Sequence, residues 1–265
     1  MCTLAIYYRT SLDFPIVVAA NRDEFYARAS APAQRLVEAP WVVGGQDLVA
    51  GGTWLGVNAH HLVAGILNRR SNRAPDPACR SRGHLCLDVL REATMADAVA
   101  HVCGDSGTLY NPFNLLLASP DGACVVGNIS GRMVPTTLTP GLHLLTNLEL
   151  DDVECPRIAK SYGLFDALRS SLQASTLPHF VHAIGGILAD HSTPLDPRDT
   201  GTPNNLCVHG ERFGTRSSTL LLYAASTSRF RMWHAAGPPC QTAYREIPLP
   251  GAATEIPLDK PTGTG

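Results

Sequence analysis

Short apolar runs separated by turn-forming residues dominate the first half of the chain, and helical spacing takes over in only two blocks. Residues 4–8 and 16–20 are rich in β-branched and aromatic side chains, and Ser11, Asp13 and Pro15 punctuate the stretch between them. That pair reads as a hairpin. In an antiparallel pair the second strand ends level with the start of the first, so residues 21–23 are expected to emerge beside Cys2. Residues 29–40 carry prolines and no period, and read as a loop. Residues 41–43 read as a strand, and residues 54–57 and 62–67 as a second hairpin around 58–61, delivering Asn68 at a strand end. Gly44-Gly45 and Gly51-Gly52 read as turns or bulges, because neither pair has the spacing of a phosphate-binding loop. Residues 69–82 form a basic, proline-containing excursion that reads as an exposed loop and a candidate lid.

Residues 84–91 and 95–103 have helical spacing, with Thr94 placed to cap the second. Strand patterns return at 114–118, 124–129 and 132–135, and again at 142–145, which ends in Thr146-Asn147. Residues 156–174 and 177–190 are helical in pattern, the first opening on Pro156 and the second weakened by Gly185-Gly186. Residues 218–223 and 229–234 read as a late hairpin, followed by a short run at 244–247. Strands come first, two helical blocks interrupt them, and strands close the chain. This order lacks strict strand-helix alternation and favours segregated layers. The expected fold is α+β, a four-layer αββα sandwich of two antiparallel sheets flanked by helices. One domain is expected over residues 1–250, with a frayed tail at 251–265.

Composition narrows the function classes. With 265 residues, 45% of them hydrophobic and 17% charged, the chain buries a sizeable core. Its 21 basic and 23 acidic residues give a net charge of −2. Neither nucleic acid nor an anionic membrane surface is an expected partner, and a small-molecule substrate or ligand is; the oligomeric state stays open. No apolar window approaches a membrane span and no secretory segment opens the chain, so the cytoplasm is the expected compartment. The eight cysteines stand at 2, 79, 86, 103, 124, 155, 207 and 240, without a close pair at zinc-site spacing, and read as reduced thiols. Cys79, His84 and Cys86 lack an evident fourth ligand, and His60-His61 sit in a hairpin turn. No metal is expected.

The candidate chemistry begins at Cys2. Removal of Met1 leaves a thiol and a free α-amine on one residue, the amine having an ordinary pKa of ~7.7–8.0. Nucleophile and base then share a single residue. The polar run Asn21-Arg22-Asp23-Glu24 follows the first hairpin, and Asn68, Asn147 and Arg216 stand at the edges of later apolar runs. Taken singly, each has a structural use: Arg22 and Asp23 as a local ion pair, the asparagines as turn residues, Arg216 as a loop anchor.

Four ordered blocks carry a resemblance: Met-Cys-Thr at the start, A-A-N-R-D-E-F-Y-A-R at 19–28, A-G-G-T-W-L-G-V at 50–57 and F-G-T-R-S-S-T-L-L-L at 213–222. Together they resemble the NRDE, or transport-and-Golgi-organisation-2, family. The resemblance implies the N-terminal-nucleophile hydrolase fold. A more distant likeness links the chain to cysteine-type amidases of that fold, the penicillin V acylases and bile salt hydrolases, in which R-N-x-D follows the first hairpin. Here the stretch is Ala20-Asn21-Arg22-Asp23, so Asn and Asp match while Ala20 stands at the usual arginine position. Asn68, Asn147 and Arg216 match further motif positions.

That likeness implies a reading of roles. Cys2 attacks a carbonyl while its α-amine takes and returns the proton, and Asp23 orients the thiol. Asn68 donates to the oxyanion, the Asn147 carbonyl fixes the amine, and Arg216 balances Asp23, with Arg22 a candidate substitute for the missing arginine. The expected activity is hydrolysis of a non-peptide C–N amide or ester bond through a Cys2 acyl-enzyme, with no cofactor required. The alternative is a carrier that keeps the fold without turnover and binds haem or a lipid or acyl ligand. Haem is implied by the family resemblance alone. Without a C-x-x-C-H motif it would be held non-covalently and transiently.

Overall fold

All six residues of β1 (Thr3–Tyr8) are buried, as are most of β2 (Ile16–Phe25). A strand with no solvent face belongs inside a stack of layers. In the computed structural model, which describes residues 2–193 and 204–251, the chain continues through β3 (Ser30–Glu38), β4 (Trp41–Asp47), β5 (Leu55–Asn58) and β6 (Val63–Asn68). Helices α1 (Arg82–Val89) and α2 (Met95–Gly104) follow, then β7 (Phe113–Ser119), β8 (Gly122–Ile129), β9 (Arg132–Thr137) and β10 (Gly141–Leu145). Helices α3 (Pro156–Asp166) and α4 (Leu177–Leu188) precede β11 (Phe213–Ala224), β12 (Arg229–Ala235) and β13 (Arg245–Ile247).

The strands form two antiparallel sheets, ordered β10-β1-β2-β11-β12-β13 and β3-β4-β5-β6-β7-β8-β9. Period-two alternation sorts their side chains into three apolar layers. Leu4, Ile6 and Val18 of one sheet meet Leu55, Val57, Val63 and Leu116 of the other. On the outer face of the first sheet, Ala5, Tyr7 and Val17 lie under Ile158 and Phe165 of α3 and Phe180 and Ile184 of α4. On the outer face of the second, Ala64, Leu115 and Leu117 lie under Leu85 and Val89 of α1 and Ala98 and Val102 of α2. The architecture is the four-layer αββα sandwich.

Three expectations need correction. Residues 29–40 are not a loop: 30–38 form the edge strand β3, whose register shifts between Ala31 and Gln34 and again between Arg35 and Val37. An edge tolerates Pro32 because one side of its backbone needs no ladder partner, and the irregular register erases the alternation that would have revealed it. Gly44-Gly45 makes no turn: both glycines lie within β4, opposite the first of those shifts, and a Cβ on Gly45 would sit 2.1 Å from the Trp54 ring. The helix expected over 156–174 stops at Asp166, where the Phe165 carbonyl accepts from the Tyr7 hydroxyl at 2.6 Å, and a short 3-10 turn follows. Thr94 caps α2 as expected, its hydroxyl accepting from the Asp97 amide at 3.1 Å. The expected tail lies, beyond residue 251, outside the described residues.

Candidate active site

The register of β1 against its two neighbours puts the polar groups around Cys2. Thr3 pairs with Asn21 on β2 and Leu4 with Leu145 on β10, so continuing both ladders sets Cys2 across from Arg22 on one side and Asn147 on the other. Cys2 shares the face of Leu4 and Ile6 and packs on the apolar layer between the sheets. The Asp23 amide donates to its Sγ at 3.3 Å, and the thiol donates to the Asp23 carbonyl at 3.5 Å. Burial pushes the Cys2 thiol above its ordinary value and the Asp23 charge adds to this, while Arg22 acts in the opposite sense. A thiol so placed keeps its proton until a base removes it.

The Asp23 carboxylate is itself clamped. Its Oδ1 accepts from the Thr215 hydroxyl at 2.7 Å, and the Arg157 guanidinium lies 3.7 Å from Oδ2 with both side chains fully buried. Arg157 also donates to the Thr3 hydroxyl at 3.1 Å and to the Asn205 carbonyl. Burial lowers the Arg157 pKa and the Asp23 charge opposes that. Such a pair holds position because losing either partner strands a buried charge.

Trp54 closes the site from the other sheet. Gly51 and Gly52 turn the chain with φ of 72° and 79°, and a Cβ on Gly52 would stand 2.1 Å from the Gly83 backbone at the start of α1. Only glycine permits that approach. The Thr53 amide donates to the Gly83 carbonyl at 3.0 Å, which fixes where Trp54 points. The Arg22 guanidinium stacks 4.3 Å from the Trp54 ring, and the Glu24 carboxylate lies 3.8 Å from it. Cys2, Thr3, Asn21, Arg22, Trp54 and Leu67 line a recess of only about 20 Å³, room for a water and not for a substrate. Trp54 also lines a second cavity of about 490 Å³, bounded further by Tyr26, Thr215, Arg216, His209 and His234. Cavities of that size hold small ligands.

The structure thus brings Cys2, Arg22, Asp23 and the turn carrying Asn147 together. The Asn147 Oδ1 is buried with no hydrogen-bond partner, and its carbonyl accepts from the Arg70 amide at 2.7 Å. Asn68 closes β6 as an exposed residue, while Ile66 and Leu67 before it line the recess. Arg216 sits where the register of β11 against β2 shifts between Thr215 and Ser217, a bulge that aims it into the larger cavity, 5.8 Å from the Tyr26 ring. Sequence reasoning missed Arg157, Thr215 and Trp54. The first carried a signal: Arg157, Ser161 and Phe165 recur at helical spacing on the buried stripe of α3, where an arginine needs an acidic partner. Thr215 and Trp54 lie inside the quoted blocks without a motif of their own.

A sequence profile of the Transport and Golgi organisation 2 family matches residues 1–233. The chain belongs to this family. The mouse Transport and Golgi organization 2 homolog is 29% identical over 235 residues, covering 80% of this chain and 83% of the relative. The human homolog is 30% identical over 236 residues with the same coverage. Among solved structures, penicillin V acylase from Agrobacterium tumefaciens superposes with a TM-score of 0.53 at 15% identity, covering 91% of this chain and 93% of its own. A Caenorhabditis elegans ortholog of N-acylethanolamine-hydrolyzing acid amidase gives 0.53 at 14%, covering 88% and 99%, and a variant of conjugated bile acid hydrolase from Clostridium perfringens gives 0.54 at 10%, covering 94% and 97%. The family member described here therefore has the fold of the N-terminal-nucleophile amidases. Among the described residues no helix is long and apolar enough to cross a membrane.

Proposed function

We propose that the chain is a cysteine hydrolase that opens a non-peptide amide or ester through an acyl-enzyme on Cys2, once processing has made Cys2 the first residue. The observation that carries this reading is the Asp23 amide on the Cys2 sulfur at 3.3 Å. It fixes the nucleophile, while the Asp23 carboxylate is already engaged by Thr215 and Arg157 and is not offered to the thiol proton. The base is then the α-amine of Cys2 itself, and the unpartnered Asn147 Oδ1 is a ready acceptor for that amine. Sulfur attacks the carbonyl carbon, the amine takes the thiol proton and passes it to the leaving group, and water completes hydrolysis of the thioester. The acyl portion enters from the 490 Å³ cavity past Trp54. Substrates of the solved neighbours, penicillin V, N-acylethanolamines and conjugated bile acids, make N-acyl amides the first class to try.

The deciding experiment is intact-mass spectrometry after incubation with an activated acyl ester. An acyl adduct confined to Cys2 of protein lacking Met1, and absent from Cys2→Ala, is the expected result. Equal labelling of other cysteines, or no adduct together with no release of the acid above the Cys2→Ala background, removes the hydrolase reading. The carrier reading uses the same cavity, and a haem titration followed in the Soret band tests it: no saturable change removes haem as cargo.

A further inference from the structure

Away from the Cys2 recess, four metal-ligating side chains converge from three parts of the chain. His191 follows α4, Cys207 and His209 lie on the segment leading into β11, and Cys240 lies between β12 and β13. One ligand atom from each falls within 4.8 Å of all the others. The Cys207 sulfur is 3.6 Å from the Cys240 sulfur and 3.7 Å from His209 Nε2, which is 3.2 Å from the Cys240 sulfur. A tetrahedral ion bound at ~2.3 Å by sulfur and ~2.0 Å by nitrogen requires edges of about 3.8 Å between sulfurs and about 3.5 Å between sulfur and nitrogen. All three separations match within a few tenths of an ångström. A disulfide would need ~2.05 Å.

The surroundings point the same way. His191 Nδ1 lies 3.0 Å from the Cys207 carbonyl oxygen, so an N–H there donates and leaves Nε2 with its lone pair to ligate. The segment bearing two of the ligands is held independently of any ion: the Cys207 amide donates to the Asp190 carbonyl at 2.9 Å, and the Thr215 amide to the Val208 carbonyl at 2.9 Å. We propose that His191, Cys207, His209 and Cys240 form a structural zinc site. Two thiolates neutralise a divalent ion, and the sulfur-nitrogen donor set selects zinc over oxygen-seeking magnesium or calcium. Four protein ligands fill the tetrahedron and leave no open position, so the ion clips segments together and does no chemistry. Binding releases the two thiol protons and forms two Zn–S and two Zn–N bonds. The expectation of no metal came from sequence spacing, which cannot show Cys240 meeting a pair more than thirty residues away.

The site does not rest on the hydrolase reading, although His209 also bounds the larger cavity. Tag-free full-length protein is dialysed, assayed for zinc, and in parallel loaded with cobalt. One zinc per chain and the intense visible bands of tetrahedral cobalt thiolate are expected, unchanged in Cys2→Ser and lost in Cys240→Ser. In the unmutated protein, Cys207 and Cys240 should resist alkylation until a chelator is added, as mapped by peptide mass spectrometry, and chelation should lower Tm until zinc restores it. Metal-free protein that fails to take up cobalt overturns the proposal. So do a cobalt spectrum that survives Cys240→Ser or vanishes in Cys2→Ser, and a Cys207–Cys240 disulfide in freshly purified protein.

Discussion

Arg157 reaches Asp23 from a different layer of the sandwich, its guanidinium 3.7 Å from the carboxylate with neither side chain exposed. The strand that presents the Cys2 partner is thereby tied to helix α3. Arg157→Met is expected to destabilise the protein by about 3–5 kcal/mol, because it leaves a buried carboxylate without its counter-charge. Adding Asp23→Asn should recover a large part of that loss. Urea denaturation of the two single variants and the double variant checks the coupling, and additive losses would mean the two groups do not act as a pair.

The reactivity of Cys2 should report its neighbours. Since burial and Asp23 hold the thiol pKa up and Arg22 pulls it down, Arg22→Gln should move the pH profile of Cys2 alkylation further upward and slow labelling at neutral pH. Alkylation rates measured across a pH series, with the modified site mapped by mass spectrometry, give the direction.

Access is a separate matter from reactivity. With about 20 Å³ beside Cys2 and about 490 Å³ beyond Trp54, the indole sets how large a reagent reaches the sulfur. Trp54→Ala should accelerate labelling by a bulky maleimide far more than by iodoacetamide. Gly45→Ala, whose new methyl would meet the indole at 2.1 Å, should disturb the same discrimination by displacing the indole.

Acid should weaken the fold through His234. Burial pushes this imidazole down to about 4, and its Nδ1 lies 2.9 Å from the Thr219 hydroxyl. The folded pKa is below the unfolded value of ~6.5, so the unfolded chain binds the proton first. Its contribution is complete above about pH 6.5 and is lost as pH falls towards 4, to a total of roughly 3 kcal/mol. Thermal melts across that window should show the loss in the unmutated protein, and His234→Gln should flatten this share of it.

The layered architecture was legible because the short apolar runs at 4–8 and 16–20 and the helical spacing at 95–103 are local signals. The juxtaposition of Cys2 with residues 21–23 was legible for the same reason, since a hairpin carries its own register. Strand β3 was hidden by Pro32 and two register shifts, and the glycines of β4 were misread because what they avoid, the Trp54 ring, is contributed by another strand. Arg157 and Thr215 were silent in a different way. Their meaning arises only when a helix and a distant strand converge on Asp23, and no periodicity records that convergence.

Successive side chains alternate between the two faces of a sheet, so adding or deleting a single residue in the 9–15 turn, if it slips the β1–β2 pairing by one, exchanges every inward and outward position on the strand. Cys2 would then face α3 and α4 on the far side of its sheet, and its thiol would be cut off from both cavities in an otherwise intact sandwich. Turn length in that first hairpin is therefore as much a constraint on the chemistry as the identity of the cysteine.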